Sequence, residues 1–147
     1  MKLEEEISQT RFTSAHQKAV INLIFTSSWL LNKQQEFFRP FEITPQQFNI
    51  LRIVKGSPQG ISGTAIKSRM LDKNSDISRL LDRLTIKGWI EKKVCPADKR
   101  SSEIFITTEG LSILEKLQPY QREFEHIMAL SPEEATLLSD LLDRARG

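Results

Sequence analysis

The stretch Asn74-Ser75-Asp76-Ile77-Ser78-Arg79-Leu80-Leu81-Asp82-Arg83-Leu84-Thr85-Ile86-Lys87-Gly88-Trp89-Ile90-Glu91 decides how the chain folds. Ile77, Leu80, Leu81 and Leu84 recur at i, i+3, i+4 and i+7, the spacing of one helix face turned to a core. The opposite face presents Ser75, Ser78, Arg79 and Asp82, with Asp76 and Arg83 flanking. Asn74 or Ser75 is the expected cap, and Gly88 the stop. Trp89 to Val94 then reads as a strand, Cys95 to Ser102 as a turn with a charged tip, and Glu103 to Ile106 as the returning strand. A polar-faced helix thus leads into a basic hairpin.

Moving upstream, Ser62 opens a short helix carrying Ala65, Ile66 and Met70, and Leu71-Asp72-Lys73 is a tight connection. Thr44-Pro45-Gln46-Gln47 is a helix start, with Thr44 as cap, Pro45 at the first helical position and Gln47 closing a capping box. Phe48, Leu51 and Val54 follow on one face, and Gly56, Pro58 and Gly60 end that helix. The first long helix is expected from about Thr10 to Gln35, with Ala19/Val20, Leu23/Ile24 and Leu30/Leu31 on more than one stripe. Phe37-Phe38-Arg39-Pro40-Phe41 breaks it at Pro40. Downstream, Thr107 caps a helix expected over Thr108 to Leu130, with Leu114, Leu117, Phe124 and Ile127 or Met128 inside. Ser131-Pro132-Glu133-Glu134 is a second capping box, and the last helix is expected to bury Leu137/Leu138 and Leu141/Leu142.

Composition bounds the function. The 147 residues carry 21 Lys/Arg and 19 Asp/Glu, a formal net charge of +2, with 39% hydrophobic residues. That length suits one domain, and that apolar content supplies a core. The charge is unevenly spread. Residues 62–107 hold ten Lys/Arg against six Asp/Glu, a net of +4, and the rest holds eleven against thirteen, a net of −2. A basic centre between neutral-to-acidic ends fits a polyanion partner. No run of 18 apolar residues exists, so no membrane span and no membrane partner are expected. The acidic start, Glu4-Glu5-Glu6, lacks the apolar core of a signal peptide, so the expected location is the cytoplasm. Cys95 is the single cysteine, which excludes an internal disulfide and a multi-cysteine zinc site. GxSxG, HExxH and a phosphate-cradling glycine loop are all missing from the sequence, so no enzyme, no cofactor and no metal are expected.

The order helix, short helix, tight turn, polar-faced helix and basic hairpin is that of a winged helix-turn-helix: mainly α, with a small β-hairpin wing. Its physics suits DNA. The major groove admits one α-helix, and polar side chains near that helix's N-terminus read base edges. Ser75, Ser78 and Arg79 hold those positions, and Lys73 lies beside them. The hairpin tip Asp98-Lys99-Arg100-Ser101 can lay an arginine in a minor groove, where the potential is most negative.

Leu80-Leu81-Asp82-Arg83-Leu84 followed by Lys87-Gly88-Trp89-Ile90-Glu91 resembles the MarR family of bacterial transcription regulators. Asp98-Lys99-Arg100-Ser101 is similar to that family's D-x-R wing signature, and Ile106-Thr107-Thr108-Glu109-Gly110 to its segment after the wing. The resemblance implies a homodimer whose N- and C-terminal helices, here 1–40 and 108–147, interlock around a winged-helix lobe, here 44–107. It implies a recognition helix over Asn74 to Lys87, with Lys73, Asn74, Ser75, Asp76, Ser78, Arg79 and Arg83 facing DNA. It implies a wing whose Asp98, Lys99, Arg100 and Ser101 meet the duplex, Arg100 in the minor groove. Asp98 is expected to brace the wing through an arginine, with Arg83 as the partner. The implied activity is repression from a pseudo-palindromic, double-stranded operator, with release by a small-molecule effector. A winged-helix module for protein partners, and an oxidant sensor acting through Cys95, are the alternatives. His16 and His126 are expected as ordinary histidines of the terminal helices. Trp29, Phe37, Phe38 and Phe41 are expected in the core, with an effector pocket as the other reading.

Overall fold

The computed structural model describes residues 1–147 apart from the side chain of Lys99. In chain order the elements are α1 (Leu3–Glu6), α2 (Ala15–Phe38), a 3-10 turn (Arg39–Phe41), α3 (Pro45–Lys55), β1 (Ile61–Ser62), α4 (Gly63–Arg69), α5 (Ile77–Ile86), β2 (Ile90–Cys95), β3 (Asp98–Ile106), α6 (Thr108–Glu125) and α7 (Pro132–Arg146). The strands form an antiparallel sheet in the order β1-β3-β2. This is the mainly helical winged helix-turn-helix expected from the sequence.

Local signals explain most boundaries. Thr44 and Gln47 close the expected capping box at α3, and Ser131 and Glu134 close the one at α7. Ser62 and Thr107 cap α4 and α6 by accepting backbone N–H groups. The long helix α2 starts at Ala15, not near Thr10, because the Ser14 hydroxyl accepts the Gln17 N–H while the Gln17 side chain accepts the Thr13 N–H. It runs three residues past Gln35 before Pro40 enforces the 3-10 turn. Helix α6 stops at Glu125, short of the expected Leu130. The His126 ring bonds the Arg122 carbonyl, which the next helical N–H would otherwise take.

The core lies among α3, α4, α5 and the sheet and takes in residues of α2 and α6. Ile50, Leu51, Val54, Ile66, Leu84, Ile90, Ile104 and Leu117 are essentially inaccessible. Phe38 from α2 and Leu114 from α6 join the same cluster. An aromatic group seals the junction: Phe37 packs edge-on against Phe38 and Tyr120, and Phe38 stacks on Phe48. Phe37, Phe38 and Phe41 therefore serve the core, whereas Trp29 takes no part in these ring pairs. Gly110 sits where the chain leaves the sheet, and a Cβ there would lie 2.1 Å from the Trp89 carbonyl oxygen.

The terminal helices correct one expectation. Helix α7 has no fully buried residue: Leu138 and Leu142 are half-buried, and Leu137 is 59% and Leu141 48% exposed. On α2, Val20, Leu23, Ile24 and Leu31 are exposed as well. Their apolar stripes are those of core helices, but within one chain nothing covers them.

Candidate nucleic-acid interface

Two elements build the site, and a short tie between α3 and the turn after α4 orients them. The Asn49 side chain accepts the Leu71 N–H at 3.1 Å and holds the connection in place. Within that connection Asp72 is the organiser. Its carboxylate accepts the Asn74 N–H, and its carbonyl accepts the Ser75 hydroxyl. Asp72 thus holds the Asn74 backbone and the Ser75 hydroxyl in the turn before the helix, and Asp76 caps α5 by accepting the Arg79 N–H at 3.2 Å. The helix accordingly runs from Ile77 to Ile86, shorter than the expected Asn74 to Lys87. Lys73 turns back, and its ammonium donates to the Ser68 carbonyl at 2.6 Å, near the C-terminus of α4. Ile77, Leu81 and Leu84 face the core as expected. Ser78, Arg79, Asp82 and Arg83 remain on the exposed side.

The wing is tighter than its composition suggests. The strands extend to Cys95 and resume at Asp98, leaving only Pro96 and Ala97 as a turn, where a loop from Cys95 to Ser102 was expected. Asp98 makes this possible. Its carboxylate accepts the Arg100 N–H at 2.9 Å, and its carbonyl accepts the Ser101 hydroxyl at 3.2 Å. Short polar side chains favour turns by this local bonding. Asp98 thus braces the wing through the Arg100 N–H and the Ser101 hydroxyl, and it forms no ion pair with Arg83. An ion pair does link helix and wing, through Asp82 and not Arg83: the Lys92 ammonium meets the Asp82 carboxylate at 2.7 Å. The side chain of Lys99 lies outside the described residues.

Between α5, the start of α4 and the wing lies an open groove of about 690 Å3. Ser75, Asp76 and Ser78 from the start of α5 line it together with Lys92, Arg100 and Ser101 from the wing and Lys67 from α4. Five of the anticipated site residues therefore meet in one cleft, while Arg79 and Arg83 stand on the outer surface of α5. Thr64 and Lys67 of α4 also border the groove. They lie before the polar-faced helix in the chain, and only packing brings them to its cleft. Cys95 is a half-buried free thiol at the wing's end. His16 and His126 are both exposed, and no cluster of three metal-ligating side chains occurs among the described residues. No helix of the described residues is long and apolar enough to cross a membrane.

A polar-faced helix and a basic wing flanking one open groove define a winged helix-turn-helix of the DNA-binding class. Comparison with known proteins narrows this. Residues 41–101 match the MarR family model. The chain is 28% identical over 130 residues to the HTH-type transcriptional regulator PecS of Dickeya dadantii, spanning 85% of this chain and 78% of that protein. It is 33% identical over 81 residues to the multiple antibiotic resistance protein MarR of Escherichia coli, about half of each chain (55% and 56%). Among solved structures, an E. coli MarR mutant complexed with operator DNA superposes with a TM-score of 0.71 at 27% identity, covering 99% of both chains. A MarR transcription factor from Planctomyces limnophilus superposes with a TM-score of 0.69 at 29% identity, covering 92% of this chain and 95% of that one. The chain belongs to the MarR family of winged-helix transcription regulators.

Proposed function

We propose that this regulator binds a pseudo-palindromic operator as a homodimer and represses transcription until a small-molecule effector releases it. In this reading each α5 enters a major groove, with Ser75, Ser78 and Arg79 toward base edges and Asn74, Asp76 and Arg83 near the backbone. Each wing lies over the adjacent minor groove, with Arg100 directed inward and Lys99 and Ser101 along the phosphates. The groove that Ser78 of α5 and Arg100 of the wing both line carries the reading.

The homodimer rests on the uncovered stripes of α2 and α7. Ile24 is 63% and Leu137 59% exposed, and burying an aliphatic side chain of that size stabilises by about 1.5–3 kcal/mol. Segments 1–40 and 108–147 would interlock there, leaving 44–107 as the DNA-binding lobe. A two-fold dimer sets its half-sites one helical turn, about 10 bp, apart. Release by an effector follows from linkage, since a ligand that favours a mismatched helix spacing must bind the DNA-bound form more weakly.

Selection of bound duplexes from a random pool at about 150 mM salt tests the reading. A recovered inverted repeat with half-site centres about 10 bp apart supports it, with a Kd near 10⁻⁸ to 10⁻¹⁰ M in the ordinary range. Recovery of no motif would overturn it in favour of a winged helix that binds protein partners.

A further inference from the structure

The wing has a mechanical weak point, and one ion pair stands on it. Strand β1 pairs with β3 only at Ile104 and Glu103. Beyond that register the wing is a two-stranded ribbon, an arrangement of marginal stability on its own. The pairing also shifts between Val94 and Cys95, and such irregularities re-aim the strands beyond them. Lys92 lies opposite Ile104, at the root of this ribbon. Side chains alternate along a strand, so Lys92 shares the face of Ile90, which is buried in the core under α5. Its stem therefore runs toward the recognition helix, and its ammonium meets Asp82 at 2.7 Å. Lys93 points the other way, to Glu91 and the Phe105 ring.

We propose that the Asp82–Lys92 ion pair fixes the angle of the wing on α5, so that Lys92 is a positioning residue for the reading of the minor groove by Arg100. This rests on the DNA-binding reading above. An exposed ion pair of this kind adds little to stability, with the Asp82 side chain 67% and Lys92 34% exposed. What it does add is a fixed distance between two readers of DNA that are otherwise joined through a flexible ribbon. It also neutralises Asp82, which would otherwise turn an unpaired negative charge toward the phosphates.

The test compares wild type with Asp82→Asn on the selected operator and on a copy with its A·T flanks replaced by G·C. Wild type is expected to prefer the A·T flanks by about tenfold, within the usual cost of a mismatched pair. Asp82→Asn is expected to reduce that preference to about threefold or less, while discrimination within the half-site core stays at the wild-type level. Lys92→Arg keeps the preference, and the exchanged pair Asp82→Lys with Lys92→Asp restores it. In the DNA-free protein, hydrogen exchange at the wing amides of residues 98–102 is expected to rise in Asp82→Asn. A variant that keeps full flank preference and unchanged wing exchange overturns the proposal. So does one that loses preference for a C·G pair inside the core, because Asp82 would then accept from cytosine directly. Failure of the DNA-binding reading looks different, since wild type would then enrich no sequence at all.

Discussion

Replacing Arg100 with Ala separates binding from folding more cleanly than any other change in the site. The Arg100 side chain is exposed and makes no ion pair among the described residues. Its one described hydrogen bond uses the backbone N–H, donated to Asp98 at 2.9 Å, and Ala keeps that group. The thermal midpoint is therefore expected to stay put, since surface changes away from such features usually fall within about 0.5 kcal/mol. Affinity behaves differently. An arginine held in a narrowed minor groove contributes about 1–3 kcal/mol. A dimer loses two, so operator binding is expected to weaken by about 2–6 kcal/mol, at least about 30-fold in Kd. Fluorescence anisotropy with a labelled operator, repeated across a salt series, gives both the loss and its origin. Loss of a groove contact falls mainly on the operator and leaves non-specific binding nearly intact. Loss of a phosphate contact weakens every duplex alike and lowers the salt slope by about 0.9 per phosphate. An Arg100→Ala protein with a wild-type midpoint and unchanged operator affinity would refute the placement of the wing on DNA.

Other consequences are as direct. Leu137→Glu, with Leu141→Glu as a second variant, is expected to yield folded monomers with much weaker operator binding, measured by sedimentation and by anisotropy. A dimer that persists in both would remove α7 from the interface. Gly110→Ala is expected to destabilise the fold by about 1–3 kcal/mol, the usual cost of overpacking, because the new Cβ meets the Trp89 carbonyl rather than a flexible side chain; a wild-type thermal midpoint would show that the chain relaxes there freely. Leu84→Ala should cost about 2–5 kcal/mol as a core cavity, read by urea titration. Glu133 has its carboxyl pKa held below the ordinary 4.5, first by its own backbone N–H and then by the Ser131 hydroxyl. A carboxylate with a lowered folded pKa stabilises above its unfolded value and loses that contribution as pH falls through the folded one. Helix α7 should therefore weaken on acidification below about pH 4.5, and Glu133→Gln should blunt this dependence in circular dichroism.

Signals confined to a few residues were legible in the sequence. The capping boxes at Thr44/Gln47 and Ser131/Glu134, the caps Ser62 and Thr107, and the inward face Ile77, Leu81 and Leu84 all stand where the local chemistry puts them. What was not legible depended on competition or on register. Asn74, Ser75 and Asp76 are all competent caps; Asp72 ties the Asn74 backbone and the Ser75 hydroxyl into the preceding turn, and Asp76 takes the role. Strand β1 is two residues long and carries no periodicity, so its pairing with Ile104 could not be read. The charges of the wing suggested a loop, yet an exposed ribbon carries charges just as well, and the Asp98 turn lets the strands run to within two residues of each other. The leucines of α7 show the period of a buried face, yet in the single chain Leu137 and Leu141 are exposed. The tie between helix and wing illustrates the same limit. The Asp-Arg pairing implied by family likeness joined Arg83 to Asp98, and nothing in the spacing distinguishes that pair from Asp82 with Lys92. The choice follows from strand geometry: Lys92 shares the face of buried Ile90, beneath α5, while Asp98 spends its carboxylate on the turn that it closes. With Asp98 turned to the Arg100 N–H, the ion pair observed between helix and wing joins a carboxylate on α5 to an ammonium on β2.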